Sequence, residues 1–394
     1  MPPRNVMLSA LALLLGAATL LPADAGAVPA FARRYKMSCT TCHAPFPRLK
    51  AYGDEFAGAG FVIPEEEKER DYVSAGDDLL WLNRVFQLGV RCDAYGVWEG
   101  DADVETDLQT PWGLKLLSGG ALAKGVSYYF YFYMSERGEV AGVEDAYVHF
   151  DDVGGAPLDI MVGQFQTCDP LMKRELRLTF EDYQIYKEKV GGSGTNLAYD
   201  RGVMLAYGIE ETGTDLVAMV VNGNGKDEAG DDHRFDSDKY KNAGLRLAQG
   251  IGDVASVGGF VYYGKEREAD TGNANEILYW GPDVVIGYGP VTMTAQYLMR
   301  TDTNPDFADT EPDEEIETAG IVAELVFGPQ GEDGRHWITL LYNRIDSDLD
   351  GEDYESVTAS FGYLLARNLR LMAEYTRDVE HEANRAVIGF VSGF

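Results

Sequence analysis

The sequence predicts an all-β fold, a sixteen-strand antiparallel β-barrel preceded by a short, partly helical N-terminal segment. Stretches of alternating apolar and polar residues follow one another from Val85 to the C-terminus, as strands do. Short turns alternate with long acidic loops between these stretches. The number of predicted strands is even, which lets a barrel close. The chain is also rich in aromatic residues and glycine, with 23 Tyr, 17 Phe, 5 Trp and 45 Gly, as is common where short strands and turns repeat.

The first 27 residues have the parts of a secretory signal peptide. Arg4 supplies a basic start, and residues 6–21 form an apolar run without a charged residue. Ala23, Ala25 and Ala27 then fit small-x-small cleavage sites. A membrane anchor is the alternative, which these small residues and a proline directly after the run disfavour. We therefore expect residues 1–27 to be a signal peptide and the mature chain to be exported.

The most specific pattern follows soon afterwards, where Cys39, Cys42 and His43 form C-x-x-C-H. Two thiols at this spacing add across the two vinyl groups of a haem, and the next residue is a histidine that can ligate its iron. A thioredoxin-like redox pair would need a βαβ context, and a zinc site would need a second ligand pair; the sequence has neither. We therefore expect one covalent haem c, with His43 as an axial ligand of the haem iron.

Residues 28–80 form the predicted monohaem cytochrome c segment and its linker. A short helix is predicted over residues 48–59, with Leu49 and Phe56 on the same side. The run of acidic and basic residues at 65–71 indicates a solvated linker. About 50 residues are marginal for an independent hydrophobic core, so we expect the haem and the barrel wall to complete that core.

Residues 81–394 form the predicted barrel. Its strands are predicted at residues 85–98, 112–120, 126–135, 143–150, 157–165, 199–208, 214–222, 239–249, 254–264, 276–288, 290–300, 316–327, 335–345, 354–365, 368–377 and 385–394. The last strand places Ile388 and Phe390 on one face, and the chain ends on Phe394, an ending that resembles the assembly signal of outer-membrane barrels. A soluble edge strand is the alternative, which fifteen further strands disfavour. With an export signal and no second long apolar segment, the sequence predicts an outer-membrane β-barrel.

Alternation also separates the two faces of the predicted wall. In strand 368–377, Arg370 and Glu374 share one face, while Leu371 and Tyr375 share the other. Strands 85–98 and 290–300 show the same division. We therefore expect a polar lumen of mixed charge, filled with water or closed by a plug.

The longest connection, residues 166–197, has two interpretations. It balances lysine and arginine against aspartate and glutamate, and it carries Phe180, Tyr183 and Tyr186. Such a loop either folds inward and narrows the channel or lies on the surface. The sequence does not decide between these two placements.

The charge of the chain restricts its partners. The formal net charge is −32 at pH 7, which disfavours nucleic acid and anionic membrane surfaces and suits cations. Carboxylates concentrate in three predicted outer loops, at residues 99–107, 227–238 and 302–315. Because carboxylates are hard ligands, these loops would gather hydrated divalent cations at the outer mouth. Solubility, and bridging to lipopolysaccharide through Ca²⁺ or Mg²⁺, is the alternative explanation.

Two stretches of the sequence resemble known families. The N-terminal stretch resembles the fused cytochrome–porin iron oxidases, which carry one haem on a sixteen-strand outer-membrane barrel; the residues that match are 28–33, 37–43, Pro47, Leu49, Tyr52, Gly53, Phe56, Gly60 and Phe61. The second resemblance is to the phosphate-selective porins. It lies in residues 163–165, 176–186 and 200–203 and is looser, because strand sequences are degenerate.

The first resemblance implies electron transfer across the outer membrane. Extracellular Fe(II), or another redox metal, is the implied donor, and periplasmic c-type cytochromes are the implied acceptors. Cys39, Cys42 and His43 carry over as the haem-binding residues. A lone haem cannot span a hydrocarbon core of about 30 Å, so the segment is expected on the periplasmic side or inside the barrel, with outer-membrane lipid around the wall. The rival hypothesis is a passive porin whose haem segment only plugs or gates the channel.

The sixth ligand of the haem iron is not assigned. Met37 is the one methionine within residues 28–80, and it is too close to Cys39 to reach the opposite face of a haem comfortably. The candidates in the barrel are Met204 and Met372, which face the lumen by alternation, and Met134 and Met161. An open sixth position is a further alternative.

Overall fold

The computed structural model describes residues 30–67, 87–100, 102, 104–269, 271–308 and 315–394. The predicted signal peptide, 1–27, lies outside the described residues, as do most of the linker and the predicted boundary at residue 80. Among the residues described, no helix is both long enough and apolar enough to cross a membrane.

The N-terminal segment, residues 30–67, consists of three short helices joined by turns. They are α1 (Ala30–Tyr35), α2 (Cys39–Cys42) and α3 (Ala51–Gly58). The predicted helix at 48–59 is present as α3. Ser38 caps α2, because its hydroxyl oxygen accepts a hydrogen bond from the Thr40 amide and so satisfies one free donor of the first turn. The segment is thus partly helical, as the sequence predicts.

The barrel consists of sixteen antiparallel strands within the described residues. They are β1 (Gly89–Glu99), β2 (Thr106–Ala123), β3 (Val126–Glu136), β4 (Gly142–Phe150), β5 (Leu158–Phe165), β6 (Asp200–Ile209), β7 (Thr214–Val221), β8 (Asn242–Ile251), β9 (Ala255–Arg267), β10 (Ala274–Tyr288), β11 (Val291–Asp302), β12 (Ile316–Phe327), β13 (His336–Ser347), β14 (Tyr354–Ala366), β15 (Leu369–Asp378) and β16 (Asn384–Gly393). Each strand pairs with its neighbours in sequence, and β1 pairs with β16, so the barrel closes. The predicted fold class is confirmed.

The largest difference from the predicted strands is in β2, which begins six residues before the predicted start at 112. These extra residues pair with the outer end of β1, beyond a register shift between Asp93 and Tyr95. A shift of this kind interrupts the alternation of side chains along a strand. The periodic pattern that predicts strands is therefore lost at this point, although the pairing continues.

The two faces of the wall differ as the alternation predicts. In β15, Arg370, Met372, Glu374 and Thr376 are buried inside the barrel. Apolar side chains cover the outside, and among them are Val203, Leu205, Tyr207, Leu245, Leu247, Val257, Val261, Trp280, Ile338, Leu340, Val357 and Phe361. An apolar outer band around an interior that contains polar and charged side chains is the pattern of a barrel surrounded by lipid, although the inner face of this barrel also carries a large apolar cluster.

The connection between β5 and β6, residues 166–199, folds into the barrel, and we call it the inward loop. Its residues Leu178, Tyr186, Val190 and Leu197 are at most 2% exposed. Tyr186 and Leu197 pack, with other residues of the loop, in an apolar cluster with inward-facing residues of β6, β7 and β9 to β13, whereas Leu178 packs in a smaller cluster with strand residues. The inward loop therefore occupies the lumen at its own level and packs against the inner wall.

Hydrogen bonds fix the inward loop to both sides of the wall. On one side, the Lys115 ammonium donates to Glu175 at 2.8 Å, and the Arg370 guanidinium donates to the Leu178 carbonyl at 2.8 Å. On the other side, Arg300 donates to the Thr195 carbonyl at 3.0 Å. Further bonds from the loop reach β8, β9, β12, β13, β14 and β16. The loop therefore crosses the lumen and is held on both sides of it, and it is not a surface loop.

Candidate cofactor site

Cys39, Cys42 and His43 lie at a cavity between the N-terminal segment and the inside of the barrel. The space between protein atoms there, together with the solvent at its open side, amounts to about 1360 Å³. Its lining from the N-terminal segment includes Phe31, Met37, Cys39, Cys42, His43, Phe46, Leu49, Phe56 and Phe61, and its lining from the barrel and the inward loop includes Gly89, Val90, Arg91, Leu117, Tyr129, Tyr131, Asp145, Tyr147, Gln166, Asp169, Lys173, Glu175 and Gly393. We call this space the motif cavity. Neither part of the chain encloses it alone.

The two cysteines are placed by a single helical turn. A helix brings residues three apart to the same face, and α2 is the four-residue turn that runs from Cys39 to Cys42. The amide of His43 donates to the Cys39 carbonyl at 2.9 Å, which closes the turn. Both thiols are half-buried, and burial raises the pKa of each.

The imidazole of His43 is fixed by one hydrogen bond. Its Nδ1 donates to the Pro47 carbonyl at 2.8 Å, so the neutral ring keeps its lone pair on Nε2. Burial lowers the pKa of His43 to about 4, although backbone hydrogen bonds at Pro47 and Arg48 act in the opposite direction. The ring is therefore neutral near pH 7 and free to ligate a metal through Nε2. A backbone acceptor on the other nitrogen is the usual arrangement around a ligating histidine.

Aromatic side chains join the N-terminal segment to the barrel wall. Phe31 stacks on Phe61 with ring centroids 5.0 Å apart, and Phe61 stacks in turn on Tyr129 of β3 at 4.6 Å. Phe56 meets Phe31 edge to face at 5.5 Å. These rings exclude water from one side of the motif cavity and give it an apolar wall.

Polar contacts also hold the segment against the barrel. Arg33 donates to the Leu88 carbonyl at 2.6 Å, and Lys50 pairs with Glu332 in the turn after β12 at 2.7 Å. Phe46 packs in an apolar cluster with Val387 and Val391 of β16. The segment is therefore seated within the barrel mouth on the side of the short turns, and its contacts include the seam between β1 and β16.

A close approach at Gly53 yields a prediction about the motif. A Cβ atom on Gly53 would lie 2.3 Å from the Cys42 carbonyl oxygen, whereas one on Gly58 would meet nothing within 4 Å. Because a backbone atom cannot move away easily, Gly53→Ala is expected to displace Cys42 at a cost of about 1–3 kcal/mol and to lower the yield of covalent haem. Gly58→Ala on the same helix is the matched control. The ratio of haem to protein, from pyridine haemochrome absorbance, measures the effect, and equal yields in the two variants would contradict it.

Sequence reasoning missed the barrel half of the motif cavity. Tyr129 and Tyr131 of β3 and Tyr147 of β4 line it, and they were not singled out. A signal was present, because Tyr129, Tyr131 and Tyr133 alternate along one face of the predicted strand 126–135. This alternation does not indicate which residues of the lumen contact the N-terminal segment.

Met204 and Met372 are buried inside the barrel, as alternation predicts, but they lie away from the motif cavity. Met134, Met161, Met204 and Met372 do not line the motif cavity, and Met37 does. Met372 packs with Phe46 and Tyr95 in the cluster beside the seam, and Met134 is exposed on the wall. Among the described methionines, the one at the site is thus Met37, although its closeness to Cys39 in the sequence disfavours it as the sixth ligand.

The residues at the motif cavity fit a covalently attached haem. Two thiols lie one helical turn apart, a neutral imidazole keeps a free nitrogen, and aromatic rings form an apolar wall on one side of the space. The described residues of the acidic outer loops do not offer a comparable site. Within the parts of the chain that the structure describes, no three His, Cys, Asp or Glu side chains are grouped to hold a metal ion.

Comparison with solved structures places the barrel among known folds. The chain aligns with the anion-selective porin from Comamonas acidovorans at a TM-score of 0.56 and 11% identity, over 79% of this chain and 99% of that one. The fold is that of the outer-membrane porins. The outer membrane channel DcaP of Acinetobacter baumannii matches at a TM-score of 0.57 and 14% identity, over 78% of this chain and 97% of its own. OmpF of Salmonella typhi, in complex with daunomycin, matches at a TM-score of 0.55 and 12% identity, over 78% of this chain and 97% of its own.

The comparisons by sequence and by structure differ in outcome. No model of a protein family matches the chain, and no curated protein matches it. At sequence identities of 11–14%, similarity between two barrels shows only that their backbones have the same fold. The porin fold therefore describes the barrel, while the N-terminal segment and its motif must be interpreted from their own residues.

Proposed function

We propose that this chain is an outer-membrane electron-transfer protein that carries one c-type haem. Cys39 and Cys42 would hold the haem covalently, and His43 would ligate its iron. Extracellular Fe(II) is the proposed electron donor, and periplasmic c-type cytochromes are the proposed acceptors. The observation that carries the proposal is that the C-x-x-C-H motif faces a large apolar cavity, half of which is the inside of the barrel wall.

The residues around the motif cavity have distinct tasks in this proposal. A bound haem supplies a one-electron redox centre, whose potential depends on axial ligands and burial. The Pro47 carbonyl orients His43 and keeps Nε2 unprotonated. Phe31, Phe56 and Phe61 exclude water, which lowers the dielectric constant around the site. The barrel wall holds the site within the membrane, which shortens the distance to the outer surface compared with a haem domain free in the periplasm.

The inward loop supports electron transfer over solute passage. Solutes need a continuous aqueous path, whereas electrons tunnel through packed protein. Residues 166–199 cross the lumen and bond to strands on both sides of it, and the N-terminal segment occupies the mouth below. A barrel obstructed in this way suits a protein that moves electrons.

The second candidate function is a passive porin whose N-terminal segment only closes or gates the channel. The observation that favours it is the porin fold, which the chain shares with an anion-selective porin and with an outer membrane channel. A porin of this kind would conduct ions in planar bilayers whether or not its haem is reduced. Conductance and haem reduction therefore separate the two functions.

Stopped-flow absorbance tests the proposed function. The ferric protein, purified in detergent, is mixed with Fe(II) near neutral pH, and growth of a reduced c-type α-band is the expected result. Mg²⁺ at the same concentration is the control and should leave the spectrum unchanged. A haem that stays ferric with Fe(II), in a protein that conducts ions freely, would reject electron transfer from iron and favour the passive porin.

A further inference from the structure

A second, smaller chamber lies inside the barrel next to the motif cavity. Residues of β1, β2, β15 and the inward loop form it, and its free space is about that of one water molecule. Four cationic side chains and one carboxylate line it, namely Arg91, Lys115, Arg177, Arg370 and Asp93. We call it the arginine chamber. Arg91 lines both spaces and forms part of the wall between them.

The charges around the arginine chamber are not balanced by the protein. Arg91 donates to Asp93 at 3.0 Å, and Lys115 donates to Glu175 at 2.8 Å, so each has a carboxylate partner. Arg370 is 2% exposed, and among the described residues it has a backbone acceptor, the Leu178 carbonyl at 2.8 Å, but no carboxylate at ion-pair distance. A buried charge without a counter-ion is strongly unfavourable.

Arg177 adds to the excess of positive charge. Its nearest described carboxylate is Asp182, whose Oδ1 lies 3.7 Å from the Arg177 Nη1. The same carboxylate also pairs with Arg174 at 3.0 Å and with Lys187 at 3.7 Å. One negative charge is thus shared among three cations, which leaves Arg177 only partly compensated.

Three hydrogen-bond donors at the chamber also lack an acceptor. The indole Nε1 of Trp112 and the guanidinium Nε atoms of Arg177 and Arg370 are shielded from solvent and have no partner among the described residues. Trp112 is 4% exposed, and all three residues line the same chamber. Indole and guanidinium groups donate hydrogen bonds and cannot accept them. An acceptor in the chamber would satisfy these donors. The chamber also contains one carboxylate oxygen without a hydrogen bond, Asp93 Oδ2, whose charge is compensated by an Arg91 nitrogen at 2.8 Å.

We infer that the arginine chamber binds a small inorganic anion, chloride, between the inward loop and the barrel wall. An anion supplies both the acceptor that three donors lack and the charge that Arg370 lacks. Water accepts hydrogen bonds but carries no charge, so it meets only the first need. The free space admits about one water-sized particle, which favours a single-atom anion over phosphate or sulfate.

The position of the chamber gives the anion a structural role. Arg177 belongs to the inward loop, Trp112 to β2 and Arg370 to β15. An ion bound by all three ties the loop to two strands that are not adjacent in the barrel. Chloride is therefore expected to stabilise the seated position of the loop, independently of whether the motif cavity holds a haem.

Crystals of the full chain grown or soaked in bromide test the site directly. Bromide replaces chloride and scatters anomalously, so a peak within hydrogen-bond distance of Trp112 Nε1 and the Arg370 guanidinium is expected. The peak should be absent in Trp112→Phe and Arg370→Met crystals. A chamber that contains water in bromide-soaked wild-type crystals, or a peak that remains in both variants, would overturn the inference.

Thermal unfolding in detergent gives a second test, in which sodium chloride is compared with sodium gluconate at equal ionic strength. Chloride is expected to raise the Tm of the wild type, because a ligand that binds only the folded state stabilises it. The rise should be lost in Arg370→Met and reduced in Trp112→Phe. Arg246→Met is the matched control, because Arg246 is also buried but is paired with Asp283 at 2.7 Å. It should retain the chloride-dependent rise even if its Tm is lower, and an equal rise in gluconate would contradict the inference.

Discussion

Replacing residues 171–195 with a short Gly-Ser linker is expected to convert a closed barrel into a conducting one. These residues supply most of the bonds that cross the lumen, including those to Glu374, Asn343 and Arg300. Barrels of sixteen strands leave an aqueous channel when no plug fills them. Single-channel conductance in planar bilayers should therefore rise by about an order of magnitude or more, since a water-filled pore replaces packed protein.

A milder variant and a control accompany this excision. Glu374→Ala removes the acceptor of the Phe180 and Glu181 amides, at 2.7 and 2.8 Å, and should produce brief openings while the loop remains present. Removing residues 228–236 from the exposed connection between β7 and β8 should leave conductance unchanged. Heat-modifiable migration on gels establishes that each variant is folded. Wild-type conductance as large as that of the excised barrel would show that the loop does not close the lumen.

The double variant Cys39→Ala, Cys42→Ala is expected to lose covalent haem completely. Each thiol is the attachment point for one vinyl group, so no covalent link remains when both are absent. The measurement is haem staining of denaturing gels, after expression in a host with c-type maturation machinery. Each single variant should retain at most one link and give a lower yield.

Cys92→Ala is the control for this loss. Cys92 lies on β1, is not among the residues that line the motif cavity, and should not affect haem content. Wild-type protein without covalent haem, or a double variant that still stains, would refute the assignment of Cys39 and Cys42. The first outcome would also remove the basis of the proposed electron transfer, and the porin fold would remain.

The strands could be predicted because their signal is local. Alternation along β11 or β15 depends on neighbours two residues away, so a short window of sequence contains the information. The pairing of β1 with β16 also follows, since an even number of strands and an aromatic final strand are the pattern of a closed barrel. The start of β2 was missed because a register shift at Asp93 interrupts that local signal.

The location of the inward loop could not be predicted because its partners are distant in sequence. Tyr183 donates to Glu324, Tyr186 donates to Gln296, and the amide of Gln184 donates to Asn343. Nothing within residues 166–197 indicates that these acceptors lie nearby, and balanced charge suits a surface as well as a lumen. Whether the loop lies in the lumen or on the surface is therefore determined by the barrel strands around it.

The candidate site could be predicted in one half only. Cys39, Cys42 and His43 form a pattern contained in five residues, which sequence alone can recognise. The barrel half depends on how the N-terminal segment is seated, and this placement follows from contacts such as Phe61 with Tyr129. The position of the N-terminal segment also brings Met37 to the cavity and leaves the four candidate methionines of the barrel away from it. Alternation along the strands cannot predict this result.

The motif cavity has a bearing on how the chain matures, because its wall contains the seam of the barrel. Gly89 and Val90 from β1 and Gly393 from β16 line it, and Val90 exchanges backbone hydrogen bonds with Phe394 at 2.6 and 2.8 Å. The cavity is therefore incomplete until the last strand of the chain has paired with the first. The N-terminal segment thus finds its complete docking surface only in a closed barrel, so that its seating depends on the pairing of the two strands that lie farthest apart in the sequence.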